Sequence, residues 1–244
     1  MAKLRSSDIQ PSTGTTLTLG ASGDTVTVGS DMIKVNSFKD IGGNNLWTSD
    51  GSGTLSNVNS ALSGGGMTLI STATVTASSG ISITTGIDST YDEYIFVATD
   101  INPGTNAVNF QFNGSIDGGS NYNVLKTTTY YRAYHLENGG GGTVTYDAAR
   151  DLATSSSYQQ VASDLLNDAD ATSGVIMHLF LPASTTLHKH FLSRCSCSHT
   201  SAGTDAARDI HVAGYFQTTS AINAISFNMA SGTFDGTVQM YGVA

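Results

Sequence analysis

Two histidines separated by one residue form the sharpest pattern for metal chemistry in this sequence. His188 and His190 flank Lys189, and side chains at positions i and i+2 of a β-strand face the same way. If three copies of the chain met around a threefold axis, six such imidazoles would come together and could bind a transition metal such as iron. The alternative is a strand that carries two exposed histidines without a chemical role. We take His188 and His190 as candidate metal ligands and expect no other cofactor.

The only two cysteines, Cys195 and Cys197, lie close to this histidine pair. In a regular strand they fall on the face of Phe191, opposite the two histidines, so a Cys2His2 zinc site would need a β-bulge. Two cysteines at this spacing on one strand are also poorly placed to form a disulfide. We therefore predict that both are small, apolar, inward-facing side chains.

Acidic residues give no clear sign of a hydrolase. A pair of carboxylates could cleave polysaccharide, and Asp164, Asp168 and Asp170 cluster in a polar segment. No apolar residues surround them to raise the pKa of a general acid, and the Gly-x-Ser-x-Gly elbow of serine hydrolases is absent from the sequence. We predict solvated turn residues here and assign no catalytic residue.

Tyrosines near a glycine-rich loop are the best candidates for recognition of another molecule. Tyr122, Tyr131 and Tyr146 lie on either side of Gly139–Gly142 in the sequence. Exposed aromatic rings stack on sugars and lose little conformational entropy on binding. We predict that these three tyrosines belong to a receptor-binding edge.

The elements that would position these residues are β-strands. Val108, Phe110 and Phe112 fall on one face of such a strand and Asn109 and Gln111 on the other, as in an antiparallel sheet with one buried face. The predicted strands are Met67 to Ala77, Ile81 to Thr85, Glu93 to Thr99, Val108 to Ser115, Asn123 to Leu136, Thr143 to Asp147, Gln159 to Leu166, Gly174 to Leu181, His188 to Ser198, Ile210 to Thr218, Ala224 to Ala230 and Gly236 to Val243. Their regular spacing predicts an all-β fold with a jelly-roll-like antiparallel β-sandwich over residues 66–244.

The first 65 residues contain shorter strand-like pieces between turn signals. These are Thr15 to Leu19, Thr25 to Val28, Met32 to Val35, Leu46 to Thr48 and Thr54 to Val58. Their apolar side chains supply too little area to close a core within one chain, whereas three chains wound together would share one. The alternative is that this segment packs onto the following domain. We predict a trimeric, fibrous, short-strand stem over residues 16–65, in which Trp47 packs between chains.

Composition excludes several classes of protein. Charged residues make up 12% of the chain and the net charge is -9, which argues against binding to nucleic acid because that requires clustered Lys and Arg. The N-terminus lacks the apolar core of a secretory signal, and no apolar run approaches the roughly 18 residues of a membrane span. We expect synthesis in the cytoplasm and no membrane insertion.

Several segments resemble phage tail-fibre-like virion proteins, especially those of marine phages. Near the C-terminus these are Val212–Phe216, Thr219–Ile225, Gly232–Gly236 and Met240–Val243, and near the N-terminus Ile9–Gly14, Leu19–Val26, Phe38–Asn44 and Ser49–Gly53; Gly86–Tyr94 joins them. The resemblance implies a homotrimer in the virion, with residues 1–15 attached to other virion proteins and a sandwich that faces outward. Within that anchor we single out Leu4, Ile9 and Pro11.

The sequence therefore predicts a non-enzymatic bacteriophage structural protein. In this hypothesis it is a tail fibre or spike whose sandwich contacts a glycan or protein of the host surface. A capsid-bound head fibre or decoration protein is the first alternative, and a virion-associated polysaccharide depolymerase is the second.

Overall fold

A computed structural model of the chain describes residues 37–40, 42–52, 54–56, 58, 66–201 and 204–243. The chain divides into two units, Met1–Gly64 and Gly65–Ala244. The described residues form β-strands and turns without a helix, so the predicted all-β class is confirmed. None of them forms a helix that could cross a membrane.

The described part of the first unit is a small antiparallel sheet of three strands, β1 (Ser37–Lys39), β2 (Asn45–Ser49) and β3 (Leu55–Ser56). Phe38 and Trp47 are partners across β1 and β2, and their rings stack at 5.9 Å. No described side chain of this unit is buried. The predicted strands at 46–48 and 54–58 correspond to β2 and β3, whereas those at 15–19, 25–28 and 32–35 lie outside the described residues.

The described residues of the second unit form twelve strands, and each overlaps one predicted from the sequence. They are β4 (Met67–Ser78), β5 (Gly80–Ile83), β6 (Glu93–Pro103), β7 (Val108–Ser115), β8 (Lys126–Leu136), β9 (Gly142–Tyr146), β10 (Gln159–Leu165), β11 (Ser173–Phe180), β12 (Lys189–Ser201), β13 (Thr204–Phe216), β14 (Ala224–Met229) and β15 (Phe234–Val243). All pairings among them are antiparallel.

These strands form one curved sheet that nearly closes into a barrel. A large layer has the order β4-β15-β6-β11-β12-β13-β8-β9, and a small layer has the order β10-β7-β14-β5. The layers are connected where Leu165 of β10 pairs with His199 of β12. The structure thus differs from a sandwich of two separate sheets, because β12 pairs with strands of both layers.

Phenylalanines from both layers fill the core between them. Phe112 of β7 makes edge-to-face contacts with Phe191 of β12 and Phe216 of β13, at centroid distances of 5.0 and 6.2 Å. Phe227 of β14 contacts Phe96 of β6 at 5.7 Å. Aromatic pairs of this kind add to the stability gained from apolar burial. The alternation seen in the sequence around Phe112 therefore corresponds to the buried face of β7.

Asp164 stabilises the corner at which the two layers meet. It lies at the irregular end of β10 with a left-handed backbone (φ 55°). Its carboxylate accepts two hydrogen bonds from Arg150 at 2.9 and 3.0 Å and one from Arg208 at 2.9 Å, and Arg132 lies 3.7 Å away. Burial acts to raise the pKa of Asp164, but the bond from Arg208 and the charges of Arg150 and Arg208 outweigh it and lower the pKa.

This position corrects the prediction that Asp164 is a solvated turn residue. Asp164 belongs to a strand and binds arginines from three separate parts of the chain, whereas Asp168 and Asp170 do lie in the loop before β11. A carboxyl whose pKa is lowered in this way remains ionised at neutral pH and is unsuited to be a general acid.

Replacing Asp164 tests whether this corner holds the layers together. We predict that Asp164→Asn lowers the free energy of unfolding by about 2–4 kcal/mol, because it removes the carboxylate that pairs with the buried Arg208 and one of the two carboxylates, Asp147 being the other, that pair with Arg132 and Arg150. Folding lowers the pKa of Asp164, so the ionised carboxylate stabilises the folded chain at pH values above its ordinary pKa. This stabilisation is lost as the pH falls through the lowered pKa of the folded chain. Urea denaturation at several pH values measures both effects. Asp209→Asn, in the exposed pair with Arg194, is the control and should leave stability nearly unchanged.

Two buried lysines flank Phe216 at one end of the large layer. Lys126 and Lys189 are its cross-strand partners and both are fully buried. The Lys126 ammonium donates to the carbonyls of Val124 and Ser157 at 3.1 and 2.6 Å. Burial lowers the pKa of Lys126 to about 7 and also lowers the pKa of Lys189. The folded chain therefore disfavours the charged form of Lys126.

This burial predicts a specific dependence of stability on pH. Because the folded pKa of Lys126 lies below the unfolded value, the unfolded chain binds more protons between them and stability rises with pH. We predict a gain of at most about 3 kcal/mol from pH 7 to 9.5 that Lys126→Met abolishes. Urea denaturation of both proteins across this range measures the difference. Parallel curves for the two proteins would show that Lys126 is not buried as described.

Candidate functional site

One side of the large layer faces away from the core, and we call it the outer face. Its central row runs in register across six strands and consists of Val97, Ile176, Arg194, His211, Tyr131 and Tyr146. The residues that precede three of them, Val175, Ser193 and Ile210, are buried, because successive side chains of a strand point to opposite sides. The same alternation that builds the core therefore places this row on the surface.

The outer face carries large apolar side chains in solvent. Ile176 is 47% exposed, and Leu192 and Tyr131 are each 43% exposed. Together with Val97 and Ala213 they line two shallow depressions of about 420 and 430 Å³. Contiguous exposed apolar surface on a folded chain indicates a contact with another molecule. The outer face is the best candidate binding surface among the described residues.

A charged group lies at the centre of this apolar surface. Arg194 donates two hydrogen bonds to Asp209, at 3.0 and 2.9 Å, and His211 Nε2 lies 3.2 Å from the same carboxylate. The hydrogen bond from Arg194 is the main cause that lowers the pKa of Asp209. The arginine charge is therefore largely neutralised, while its exposed edge can still donate to an oxygen-rich ligand.

An aromatic platform adjoins this charged group. The Tyr131 ring stacks on the His211 ring at a centroid distance of 4.7 Å and an interplanar angle of 7°. Tyr146, the cross-strand partner of Tyr131, is also exposed, and its hydroxyl donates to Asp151. That bond is the first cause of a raised pKa for Tyr146. Flat, exposed rings beside hydrogen-bonding groups suit the faces and hydroxyls of a sugar or a polar peptide.

The structure thus brings together two of the three tyrosines predicted to bind a receptor. Tyr122 precedes β8 and is only partly exposed, and its hydroxyl is buried beside the turn at Gly119. This turn is held by Asp117, whose carboxylate accepts bonds from Ser115, from the Asn121 backbone and from the Asn121 side chain. The hydroxyl of Tyr122 therefore does not point toward the outer face as Tyr131 and Tyr146 do.

His188 and His190 flank Tyr215 on the surface. His190 lies opposite Tyr215 in the pairing of β12 with β13, and the rings of His188 and His190 lie 5.4 and 5.5 Å from the Tyr215 ring. Within the part of the chain that the structure describes, no group of three or more His, Cys, Asp or Glu side chains could hold a metal ion. A metal on a symmetry axis between copies stays a prediction.

The two cysteines occupy the position predicted for them. Cys195 and Cys197 are unpaired and buried on the same side of β12 as Phe191. Two causes raise the pKa of Cys195 well above its usual value: mainly a hydrogen bond with Cys197, and also burial of the thiol. Cys195 is therefore a core residue rather than a reactive thiol.

The residues predicted to anchor the chain, Leu4, Ile9 and Pro11, lie outside the described residues. Their role stays a prediction.

Sequence reasoning missed most of the outer face, in particular Ile176, Leu192 and Arg194. A signal was present, because Val175, Ile176 and Met177 put large apolar side chains on both sides of one strand. A strand with one solvated face alternates apolar and polar residues. Apolar residues on the second face therefore indicate that this face also packs against, or binds, another part of the chain or another molecule.

Comparisons with known proteins leave the function to be inferred from this geometry. No family model matches the chain, and no curated protein and no solved structure matches it either.

Proposed function

We propose that this chain is a non-enzymatic structural protein of a bacteriophage particle, a tail-fibre-like or spike-like appendage. Three copies assemble through the N-terminal part, which attaches to other virion proteins by residues 1–15. The second unit faces outward and its outer face contacts a glycan or protein of the host surface. In this proposal the second unit is a jelly-roll-like domain, and residues 16–65 form a trimeric stem.

Assembly through the N-terminal part is supported by the lack of a core in the described residues of the first unit. Phe38 is 50% exposed and Leu55 is 54% exposed, and no described residue from 37 to 58 is buried. A sheet of three such short strands does not fold stably alone in water. Equivalent sheets from neighbouring copies would supply the missing apolar contacts.

Contact with the host is supported by the outer face, and this is the observation that carries the proposed function. Ile176, Leu192 and Tyr131 are exposed on the outside of a layer whose other side covers the buried aromatic core. The face is built on β-strands rather than on loops, so its backbone is already ordered and little backbone entropy is lost on binding. Tyr131, His211 and Arg194 add stacking and hydrogen-bonding groups to the apolar floor.

Attachment to the capsid as a head fibre or decoration protein is the alternative location for the same architecture. The two locations differ in where the first 15 residues dock. Electron microscopy of particles labelled at the N-terminus separates them, since label on the tail supports the fibre and label on the head supports the decoration protein.

The outer face makes a direct prediction about adsorption to the host. We predict that purified protein blocks phage adsorption, and that Tyr131→Ala combined with Leu192→Ser raises the concentration needed at least tenfold, because it removes the aromatic platform and the apolar floor. Ile116, an exposed apolar residue that directly follows β7 of the small layer, gives the control: Ile116→Ser should block like the wild type. Equal blocking by all three proteins would exclude the outer face as the contact.

A further inference from the structure

β4 is a long strand at the edge of the sheet. It pairs with β15 on one side, and no described strand pairs with its other side. Natural proteins protect such edges by short strands, charged side chains or proline, because unpaired N–H and C=O groups recruit other strands. The other two edges of this sheet, β5 and β9, have only 4 and 5 residues. β4 has 12 residues, none of which is charged or proline.

The core is incompletely covered along the same strand. Ile70, Ala73 and Val75 of β4 pack against the core but remain partly exposed. Met67 and Leu69, at the start of the strand, are 50% and 51% exposed. An additional strand beside β4 would pair the free backbone groups and also cover these apolar side chains. The described structure therefore leaves a place for one more β-element at this edge.

Charge and chain connectivity indicate that a second copy occupies this place. Each copy has a net charge of -9, so a contact between copies is least unfavourable where it brings no acidic side chains together, and β4 has none. β4 also begins at Met67, only eleven residues after β3, the last described strand of the first unit, ends at Ser56. Eleven residues span at most about 40 Å. Copies joined through their first units are therefore tethered close to the starts of their β4 strands, which raises the local concentration of these edges.

We propose that the free edge of β4, with Met67 and Leu69, is a contact between copies of this chain. This inference rests on the proposed oligomer and adds the surface through which the second units meet. The central row of the outer face lies on β6, β11, β12, β13, β8 and β9, and β15 separates these strands from β4, so this row stays available for the host.

Hydrogen–deuterium exchange on the full chain tests this contact. In the wild-type oligomer we expect slow exchange at all amides of residues 68–77, because both edges of β4 are paired. Leu69→Asp adds a charge at the proposed contact between negatively charged copies, so exchange at about half of these amides should become at least tenfold faster. Val144→Asp, on the exposed edge strand β9, is the matched control and should leave β4 unchanged. Light scattering on the same samples gives the number of copies.

The other outcomes separate this inference from the proposed oligomer. Fast exchange along β4 in a wild-type oligomer, or slow exchange that persists in Leu69→Asp, overturns the β4 contact and leaves the oligomer standing. A wild-type monomer with slow exchange would assign the edge to a segment of the same chain and overturn the contact between copies. A monomer with fast exchange would overturn both proposals.

Discussion

The bond network around Asp164 constrains how the two layers of the second unit meet. Three arginines from β8, β13 and the segment between β9 and β10 converge on this carboxylate. At the same place β10 leaves its register with β7 and meets β12. The Asp164 backbone N–H donates to the Asn109 side chain at 3.0 Å, so its backbone donor has a partner although the left-handed conformation interrupts the strand. Removing one member of a partly buried cluster of ion pairs costs free energy, because the remaining charges are left shielded from water.

The large layer that meets the small layer at that corner has two different sides. One side covers Phe112 and Phe227, and period-2 alternation then assigns every second residue of β6, β11, β12, β13 and β8 to the outside. In most antiparallel sheets that outside is polar, but here it includes Ile176 and Leu192. We interpret this departure as the mark of a binding surface, and the uncharged edge at β4 as the mark of a contact between copies.

Local sequence patterns predicted the strands well but not the way in which they associate. Strand-like runs between turn signals located each of the twelve strands described in the second unit, and alternation gave the inward orientation of Cys195 and Cys197, because these features depend on neighbours in the chain. The role of Asp164 depends on Arg132 and Arg208, which are distant in sequence, and it was wrongly predicted to be a turn residue. Lys126 and Lys189 could not be predicted to be buried, since lysine is rarely buried without a partner. Two of three candidate tyrosines reached the outer face, whereas the parity of Tyr122 could not be set in an irregular loop.

We propose that the first unit needs companion copies to fold stably, because none of its described side chains is buried. Sedimentation equilibrium of the purified 244-residue chain tests this requirement most directly. We predict a single species with three times the mass of one chain, unchanged on dilution to micromolar concentration. A stable species with the mass of one chain would contradict the claim.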